Sequence, residues 1–200
     1  MDFGYIFLKW SKMTVCKIGG SVITNKHSSG SPKLDVDMLK AILKDAPEDS
    51  LLVFGTGSFG HDKARELGLT EEWSEVECED FLDELESYYA EVRELAGELC
   101  EFGGVAVDGK RAKIISSDLI ATQIAHDSGD DLYFYSDIDG VHMQDGTVVS
   151  EFGGGEAVRL IENMEQMPVT DMTGGLRGKL EKIRDIGFQN QVRFRNIAGH

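Results

Sequence analysis

Short β-branched and aromatic runs alternate along this chain with segments of helical periodicity, and this alternation constrains the fold more than any other feature. Strands that alternate with helices pair in parallel, because each crossover helix returns the chain to the same end of the sheet. A parallel sheet is then covered by helices on both faces. The pattern therefore predicts an α/β protein, a three-layer α/β/α sandwich with a mainly parallel central sheet.

The predicted elements follow one another without a linker, an internal repeat or a low-complexity tract. Strands are expected at residues 14–18, 51–54, 105–107, 112–115, 132–136 and 192–196. Helices are expected at residues 36–44, 61–67, 80–100, 118–127, 155–163 and 174–186. We predict one domain over residues 1–200. Residues 1–13 are a candidate N-terminal extension, because Met13 stands directly ahead of the first strand.

Charge and cysteine content restrict the partners and the compartment. The formal net charge is −16, and residues 66–101 alone hold 14 acidic residues against one basic residue. Such a surface repels nucleic acid and anionic membranes, so neither is an expected partner. The three cysteines show no metal-binding spacing, and the apolar run 3–10 is too short to span a bilayer and lacks the flanks of a signal peptide. We therefore expect a cytoplasmic protein without disulfides.

Three glycine clusters follow predicted strands or open predicted helices. They are Lys17-Ile18-Gly19-Gly20-Ser21, Gly55-Thr56-Gly57-Ser58-Phe59-Gly60-His61, and Thr173-Gly174-Gly175 ahead of Arg177 and Lys179. Glycine lets backbone N–H groups approach an anion, and a helix N-terminus favours phosphate. Any one cluster alone is better explained by a tight turn, but three together, two of them with lysines, indicate a phosphate site. The Walker A pattern is absent from the sequence, which argues against a P-loop NTPase.

The longest predicted helix carries an apolar stripe, with acids on its other side. The stripe consists of Leu82, Leu85, Tyr89, Val92, Ala96 and Leu99. It is interpreted either as a core face or as the seam of a homodimer. A homodimer is therefore an expected assembly.

Five segments resemble, in the same order, motifs of the amino-acid-kinase superfamily, and in particular of its isopentenyl phosphate kinases. They are KIGGSVITNK (17–26), GTGSFGH (55–61), SSD (116–118), YSDIDGV (135–141) and DMTGGLRGK (171–179). The resemblance reaches from the first strand to the last helix. It implies a kinase that uses ATP and Mg²⁺ to phosphorylate a small phosphorylated acceptor, isopentenyl phosphate first among them.

The resemblance also implies roles for individual residues. Lys17 and Lys179 would bracket the phosphates, Asp118 would hold both lysines, and His61 would contact the acceptor's phosphate, which makes these four the expected catalytic residues. The expected ATP-binding residues are Lys17, Gly19, Lys26, Ser136, Asp137, Asp139, Gly140, Val141, Gly174 and Lys179. The expected acceptor-binding residues are Gly20, Ser21, Gly55, Thr56, Gly57, Ser58, Gly60 and His61. No side chain is assigned to the metal, which the ATP phosphates would carry.

Some residues depart from the isopentenyl phosphate kinase pattern. Thr56 stands where the family usually has a glycine, and Ser117 and Leu119 depart from its Ser-Gly-Asp-Asp run. Only about fifteen residues separate the acidic helix from Asp118, where that family has several extra strands and a hairpin. The alternatives therefore include another acceptor, namely a nucleoside monophosphate, a furan-methyl phosphate or a carboxylate. A nucleotide-binding subunit with little catalysis is the alternative of another class.

Overall fold

The computed structural model describes residues 13–24, 33–165 and 174–197, and a six-stranded sheet forms its centre. With elements numbered in chain order, its strands are β1 (Thr14–Ile18), β2 (Ser50–Phe54), β4 (Cys100–Phe102), β7 (Asp131–Ser136), β10 (Glu151–Gly153) and β11 (Gln191–Asn196). Their order is β10-β11-β7-β1-β2-β4. The edge strand β10 pairs antiparallel with β11, and the other neighbours are parallel. The mainly parallel central sheet is confirmed.

Helices cover both faces of this sheet. They are α1 (Gly20–Ile23), α2 (Val36–Asp45), α3 (Gly57–Glu66), α4 (Glu79–Ala96), α5 (Ser117–Ser128), α6 (Ala157–Asn163) and α7 (Gly175–Ile186), with a 3₁₀ turn at Gly154–Glu156. Successive strand residues alternate between the faces, as Val15 and Cys16 do. Val15 belongs to the core formed with α5, α6 and α7, and Cys16 to the core formed with α2 and α4. The sandwich therefore has the three expected layers.

Two strands that were expected in the central sheet lie outside it. β5 (Gly104–Asp108) and β6 (Arg111–Ile115) form an antiparallel hairpin, and β3 (Ser74–Glu75) extends it to a separate three-stranded sheet. The parallel assignment was wrong because residues 109 and 110 are too short a connection for a crossover. The hairpin also lies in the stretch before Asp118 that was expected to lack one.

The acidic helix is shorter than expected. α4 ends at Ala96, because Gly97 follows with φ +85° and turns the chain. Cys100, the expected last residue of the helix, instead begins the edge strand β4. In contrast, α3 begins at Gly57 and not at the expected His61.

Several short strands were not predicted from the sequence. Besides β3, β4 and β10 they are β8 (Val141–His142) and β9 (Val148–Val149), which pair with each other as an antiparallel ribbon. Each has two or three residues, too few to show the alternation that identifies a strand.

The apolar stripe of α4 packs into the core. Leu85 and Val92 are almost fully buried, together with Tyr88, whereas Leu99 lies beyond the helix and is 63% exposed. The stripe is thus explained by the core, and the homodimer remains a prediction without that support. Within the described ranges, we find no helix with the length and apolarity that crossing a membrane requires.

Candidate active site

Two lysines from opposite ends of the chain meet one carboxylate at the carboxyl ends of the central parallel strands. Nζ of Lys17 lies 2.8 Å from Oδ1 of Asp118, and Nζ of Lys179 lies 3.2 Å from Oδ2 of the same residue. The side chains of Lys17, Asp118 and Lys179 are only 7%, 4% and 11% exposed. The sequence analysis predicted that these three residues meet, and the geometry agrees.

The topology explains why residues so distant in sequence converge. Lys17 is the penultimate residue of β1. Asp118 lies in the first turn of α5, and Lys179 lies in the second turn of α7. In an open α/β sheet the carboxyl ends of parallel strands and the starts of the following helices share one edge. This edge is also where such folds place their ligands.

Asp118 stays ionised despite its burial. Burial by itself would raise the pKa of this carboxyl, but the ammonium groups of Lys17 and Lys179 outweigh that effect and hold the pKa below its ordinary value. The carboxylate is therefore an anchor for the two lysines. Because both of its oxygens are engaged, it is poorly suited to act as a general base.

The first two glycine clusters pack directly against each other. A Cβ atom on Gly20 would lie 2.0 Å from the backbone nitrogen of Gly57, so no side chain fits there. The hydroxyl of Thr24 joins the two segments, donating to the Gly20 carbonyl at 2.8 Å and accepting from the Ser58 N–H at 3.0 Å. These glycines are thus required by backbone packing, whatever else they bind.

Some backbone donors of these clusters are used inside the protein. The N–H of Gly19 donates to the carbonyl of Tyr135 at 2.8 Å, and the N–H of Gly55 donates to the carbonyl of Ile18 at 3.0 Å. The expectation that these glycines offer their N–H groups to an anion is therefore wrong for these two positions. Lys17, Lys179 and Arg65 are the positively charged side chains that line the site.

A cavity of about 500 Å³ opens beside Lys17, Asp118 and Lys179. Of the predicted site residues, those lining it are Lys17, Gly19, Gly20, Ser21, Gly55, Thr56, Gly57, Ser58, Gly60, His61, Asp118, Ser136, Asp137 and Lys179. A second group of lining residues is apolar and comes from α3, α4 and the hairpin: Ala64, Phe81, Leu85, Val105 and Ile114. These five belong to one hydrophobic cluster, so they form a continuous wall.

The remaining predicted ATP contacts among the described residues do not line this cavity. Gly174 is outside its lining, although the next residue, Gly175, contributes to it. Val141 is fully buried in the core, so its expected nucleotide contact remains a prediction that only its backbone could fulfil. Asp139 is bound by the His142 ring at 2.8 Å, and Gly140 packs against β9. Asp139 and Gly140 remain predictions, as does Lys26, which lies outside the described residues.

The sequence analysis missed the part of the site that the hairpin forms. Gly103, Gly104, Val105, Ile114 and Ile115 all line the cavity. A signal was present, because Gly103-Gly104 is a further glycine pair directly after a strand. It was overlooked because β4 has only three residues, the first of which, Cys100, was assigned to the preceding helix.

Metal-binding side chains do not cluster in the parts of the chain that the structure describes. No group of three His, Cys, Asp or Glu residues is placed there to hold a metal ion. Asp137 offers an exposed carboxylate at the cavity. This set suits an ion held mainly by phosphate and water more than one held by the protein alone.

The fold is amino-acid-kinase-like, as comparison with solved structures shows. An isopentenyl phosphate kinase described by X-ray structures superposes with a TM-score of 0.63 at 19% identity, over 94% of this chain and 93% of that chain. The isopentenyl phosphate kinase of T. acidophilum in its product complex gives a TM-score of 0.62 at 20% identity, over 92% and 91% of the two chains. An N-acetylglutamate synthase from Neisseria gonorrhoeae gives 0.58 at 14% identity, over 92% of this chain and 54% of that one.

Sequence comparison indicates the same relatives over a shorter stretch. The isopentenyl phosphate kinase of Methanothermobacter thermautotrophicus is 40% identical over 74 residues, which are 35% of this chain and 26% of that enzyme. The match thus spans about a quarter of the curated relative. No protein-family model matches the chain. The resemblance to isopentenyl phosphate kinases that the motifs indicated is confirmed by both comparisons.

Proposed function

We propose that this protein transfers the γ-phosphoryl group of ATP to the phosphate of a small acceptor, with isopentenyl phosphate as the leading candidate. The observation that carries this proposal is the buried Lys17–Asp118–Lys179 cluster beside a cavity. Phosphoryl transfer through a loose transition state requires mainly alignment and positive charge. Two ammonium groups fixed by one carboxylate leave the cluster with an excess positive charge, which suits this task.

ATP would bind along the part of the cavity lined by β1, β7 and α7. Lys17 and Lys179 would contact its phosphates, and Ser136 and Asp137 would line the nucleotide side. Mg²⁺ would fit this arrangement as an ion held largely by the phosphates, with Asp137 as an exposed carboxylate at the cavity. When bound, Mg²⁺ would neutralise charge on the β- and γ-phosphates.

In the proposed step an oxygen of the acceptor's phosphate attacks the γ-phosphorus of ATP. A new P–O bond forms while the bond from that phosphorus to the β–γ bridging oxygen breaks, and ADP leaves with the electron pair. The second pKa of a phosphate monoester is about 6, so the attacking oxygen carries no proton at neutral pH. No general base is required, which agrees with a carboxylate fully engaged by Lys17 and Lys179.

The acceptor end of the cavity favours a phosphate with an apolar tail. His61 lies on α3 at the cavity, where an imidazole suits contact with phosphate. The wall formed by Phe81, Leu85, Val105 and Ile114 has no polar side-chain atoms. Asp62 and Arg65 of α3 also line the cavity, and they form an ion pair with each other. The short branched hydrocarbon of isopentenyl phosphate would bury its surface against this wall. The sequence and fold similarity to isopentenyl phosphate kinases supports the same acceptor.

A coupled assay of ADP release, run with a panel of acceptors, tests the proposal. The panel contains isopentenyl phosphate, a nucleoside monophosphate, a furan-methyl phosphate and a carboxylate. We expect the highest kcat/KM with isopentenyl phosphate, and loss of ADP release in Lys179→Met. The matched control is Lys40→Met, which removes an exposed lysine of α2. Binding of ATP without acceptor-dependent ADP release would instead identify a nucleotide-binding subunit.

We also propose that the protein acts in a reducing compartment. Cys16, Cys78 and Cys100 are free thiols and buried, which agrees with a reducing compartment such as the cytoplasm. Burial raises the pKa of the Cys16 thiol to about 11, so this cysteine is not a reactive thiolate.

A further inference from the structure

Two consecutive tyrosines attach α4 to two turns that line the cavity. The hydroxyl of Tyr88 donates to the carbonyl oxygen of Gly55 at 2.8 Å, and the hydroxyl of Tyr89 donates to the carbonyl oxygen of Gly103 at 2.7 Å. Gly55 follows β2 and Gly103 follows β4, and the N–H of Gly103 donates to the carbonyl of Phe54 at 2.9 Å. One helix therefore holds the ends of two neighbouring strands at the site.

Tyr88 contacts the proposed acceptor segment at two places. Besides its hydrogen bond to Gly55, its ring stacks on that of Phe59, with 4.7 Å between centroids and 27° between planes. Phe59 lies two residues before His61 in α3. Because Tyr88 is only 1% exposed, its own position is fixed by the core. A single buried side chain thus sets both the start of segment 55–61 and the part that carries the histidine.

Tyr89 holds the apolar side of the cavity in a similar way. A Cβ atom on Gly104 would lie 2.1 Å from the Tyr89 hydroxyl, so the phenol lies directly against the first residue of the hairpin. The Tyr89 ring also packs on Phe102, with 4.4 Å between centroids. The next residue of the hairpin, Val105, belongs to the apolar wall. The position of this wall relative to the glycine turns therefore depends on Tyr89.

We propose that Tyr88 and Tyr89 are positioning residues of the acceptor site, Tyr88 for its phosphate end and Tyr89 for its tail end. Neither lines the cavity, so both act through the backbone that they bind. The inference rests on the proposed function for the identity of the acceptor. It gives the acidic helix, in which the sequence showed only an apolar stripe, a part in substrate selection.

Tyr88→Phe tests the phosphate end, because it removes only the hydroxyl and keeps the ring on Phe59. We expect the KM for isopentenyl phosphate to rise about tenfold, the equivalent of ~1.4 kcal/mol, with the KM for ATP unchanged within about twofold. The matched control is Tyr135→Phe, which removes another buried hydroxyl, the one bound to Asp45 at 3.0 Å on α2. A similar change of the acceptor KM in both variants would show that Tyr88 has only a structural role, and would overturn the proposal.

Tyr89→Phe tests the tail end. We expect kcat/KM to fall about fivefold to tenfold with isopentenyl phosphate and to change less than twofold with ethyl phosphate, whose tail is too short to reach the same wall. The selectivity between the two acceptors is the measured quantity, and loss of global stability would not move it. Equal losses with both acceptors would show that Tyr89 does not set the tail wall.

A measurement without turnover separates this inference from the proposed function. Amide hydrogen exchange in the ligand-free protein reports how firmly residues 55–61 are held. We expect exchange in this segment to be about tenfold faster in Tyr88→Phe than in Tyr135→Phe, and faster in Phe59→Leu as well. Unchanged exchange in both Tyr88→Phe and Phe59→Leu would overturn the positioning role. A wild-type protein inactive with every acceptor would contradict only the proposed function.

Discussion

Replacing Asp118 with asparagine gives the sharpest test of the charge cluster. Asparagine keeps the shape of the side chain but removes the negative charge that lies 2.8 Å and 3.2 Å from two buried ammonium groups. Breaking a buried ion pair by removing one partner costs about 3–5 kcal/mol. For a chain of this size each kcal/mol lowers the melting temperature by roughly 2–4 °C. We therefore expect Asp118→Asn to melt roughly 6–20 °C below the wild type.

The activity of Asp118→Asn should fall together with its stability. With Lys17 and Lys179 no longer held by one carboxylate, we expect kcat to drop by about two orders of magnitude, the size seen when a preorganised charge contact is lost. Calorimetry or fluorescence gives the melting temperature, and ADP release gives kcat. In Asp118→Asn/Lys179→Met the repulsion between the lysines disappears, so part of the lost stability should return while activity stays absent. A single variant that melts within 2 °C of the wild type and keeps its kcat would refute this reasoning.

The pH dependence of the same variant provides a second readout. The folded-state pKa of Asp118 lies below its ordinary value of 3.8, so its contribution to stability is fully present above that value. The contribution is lost as the pH falls through the lowered pKa. The difference in melting temperature between wild type and Asp118→Asn should therefore shrink as the pH falls below 3.8. A difference that shrinks near neutral pH would show that the carboxylate is not held by both lysines.

Three further outcomes are expected. Lys17→Ala and Lys179→Ala should each lower kcat by about two or more orders of magnitude in the ADP-release assay, because each removes charge from the moving phosphoryl group; a loss of less than about fivefold would contradict the proposed role. His61→Ala should raise the acceptor KM by about tenfold while ATP affinity, measured by titration calorimetry, stays unchanged; equal losses for both substrates would argue against an acceptor contact. Gly20→Ala should prevent normal folding, since its Cβ would lie 2.0 Å from a backbone nitrogen, whereas Gly153→Ala, with 3.9 Å of space, should melt within about 1 °C of the wild type.

The layered fold and the charge cluster were predictable because their signals are strong. β1 carries apolar residues on both faces, as a central parallel strand must, and its observed bounds are the predicted ones. The lysines were identifiable because glycine clusters marked the ends of β1 and the start of α7. The role of Asp118 was predicted only from the family resemblance, since a lone acidic residue at the start of a helix is common.

The acceptor side was less predictable. Residues 104–115 could form a hairpin or two parallel strands, and the length of the connection between the two strands decides which. The alternation of strands and helices along the sequence takes no account of that length. The Tyr88 and Tyr89 hydroxyls bind backbone carbonyls far away in sequence. Such contacts leave no periodic signal in the sequence. The cavity's apolar wall was missed for the same reason, because it combines side chains from α3, α4 and the hairpin.

The most direct test of phosphoryl transfer at this cluster is ³¹P NMR of a reaction that contains ATP, Mg²⁺ and isopentenyl phosphate. We expect the acceptor's single phosphate resonance to be replaced by the pair of coupled resonances of a diphosphate, in step with the formation of ADP, and no such product with Lys17→Met. Release of inorganic phosphate alone, or a diphosphate that still forms at the wild-type rate in Lys17→Met, would contradict transfer at the Lys17–Asp118–Lys179 cluster.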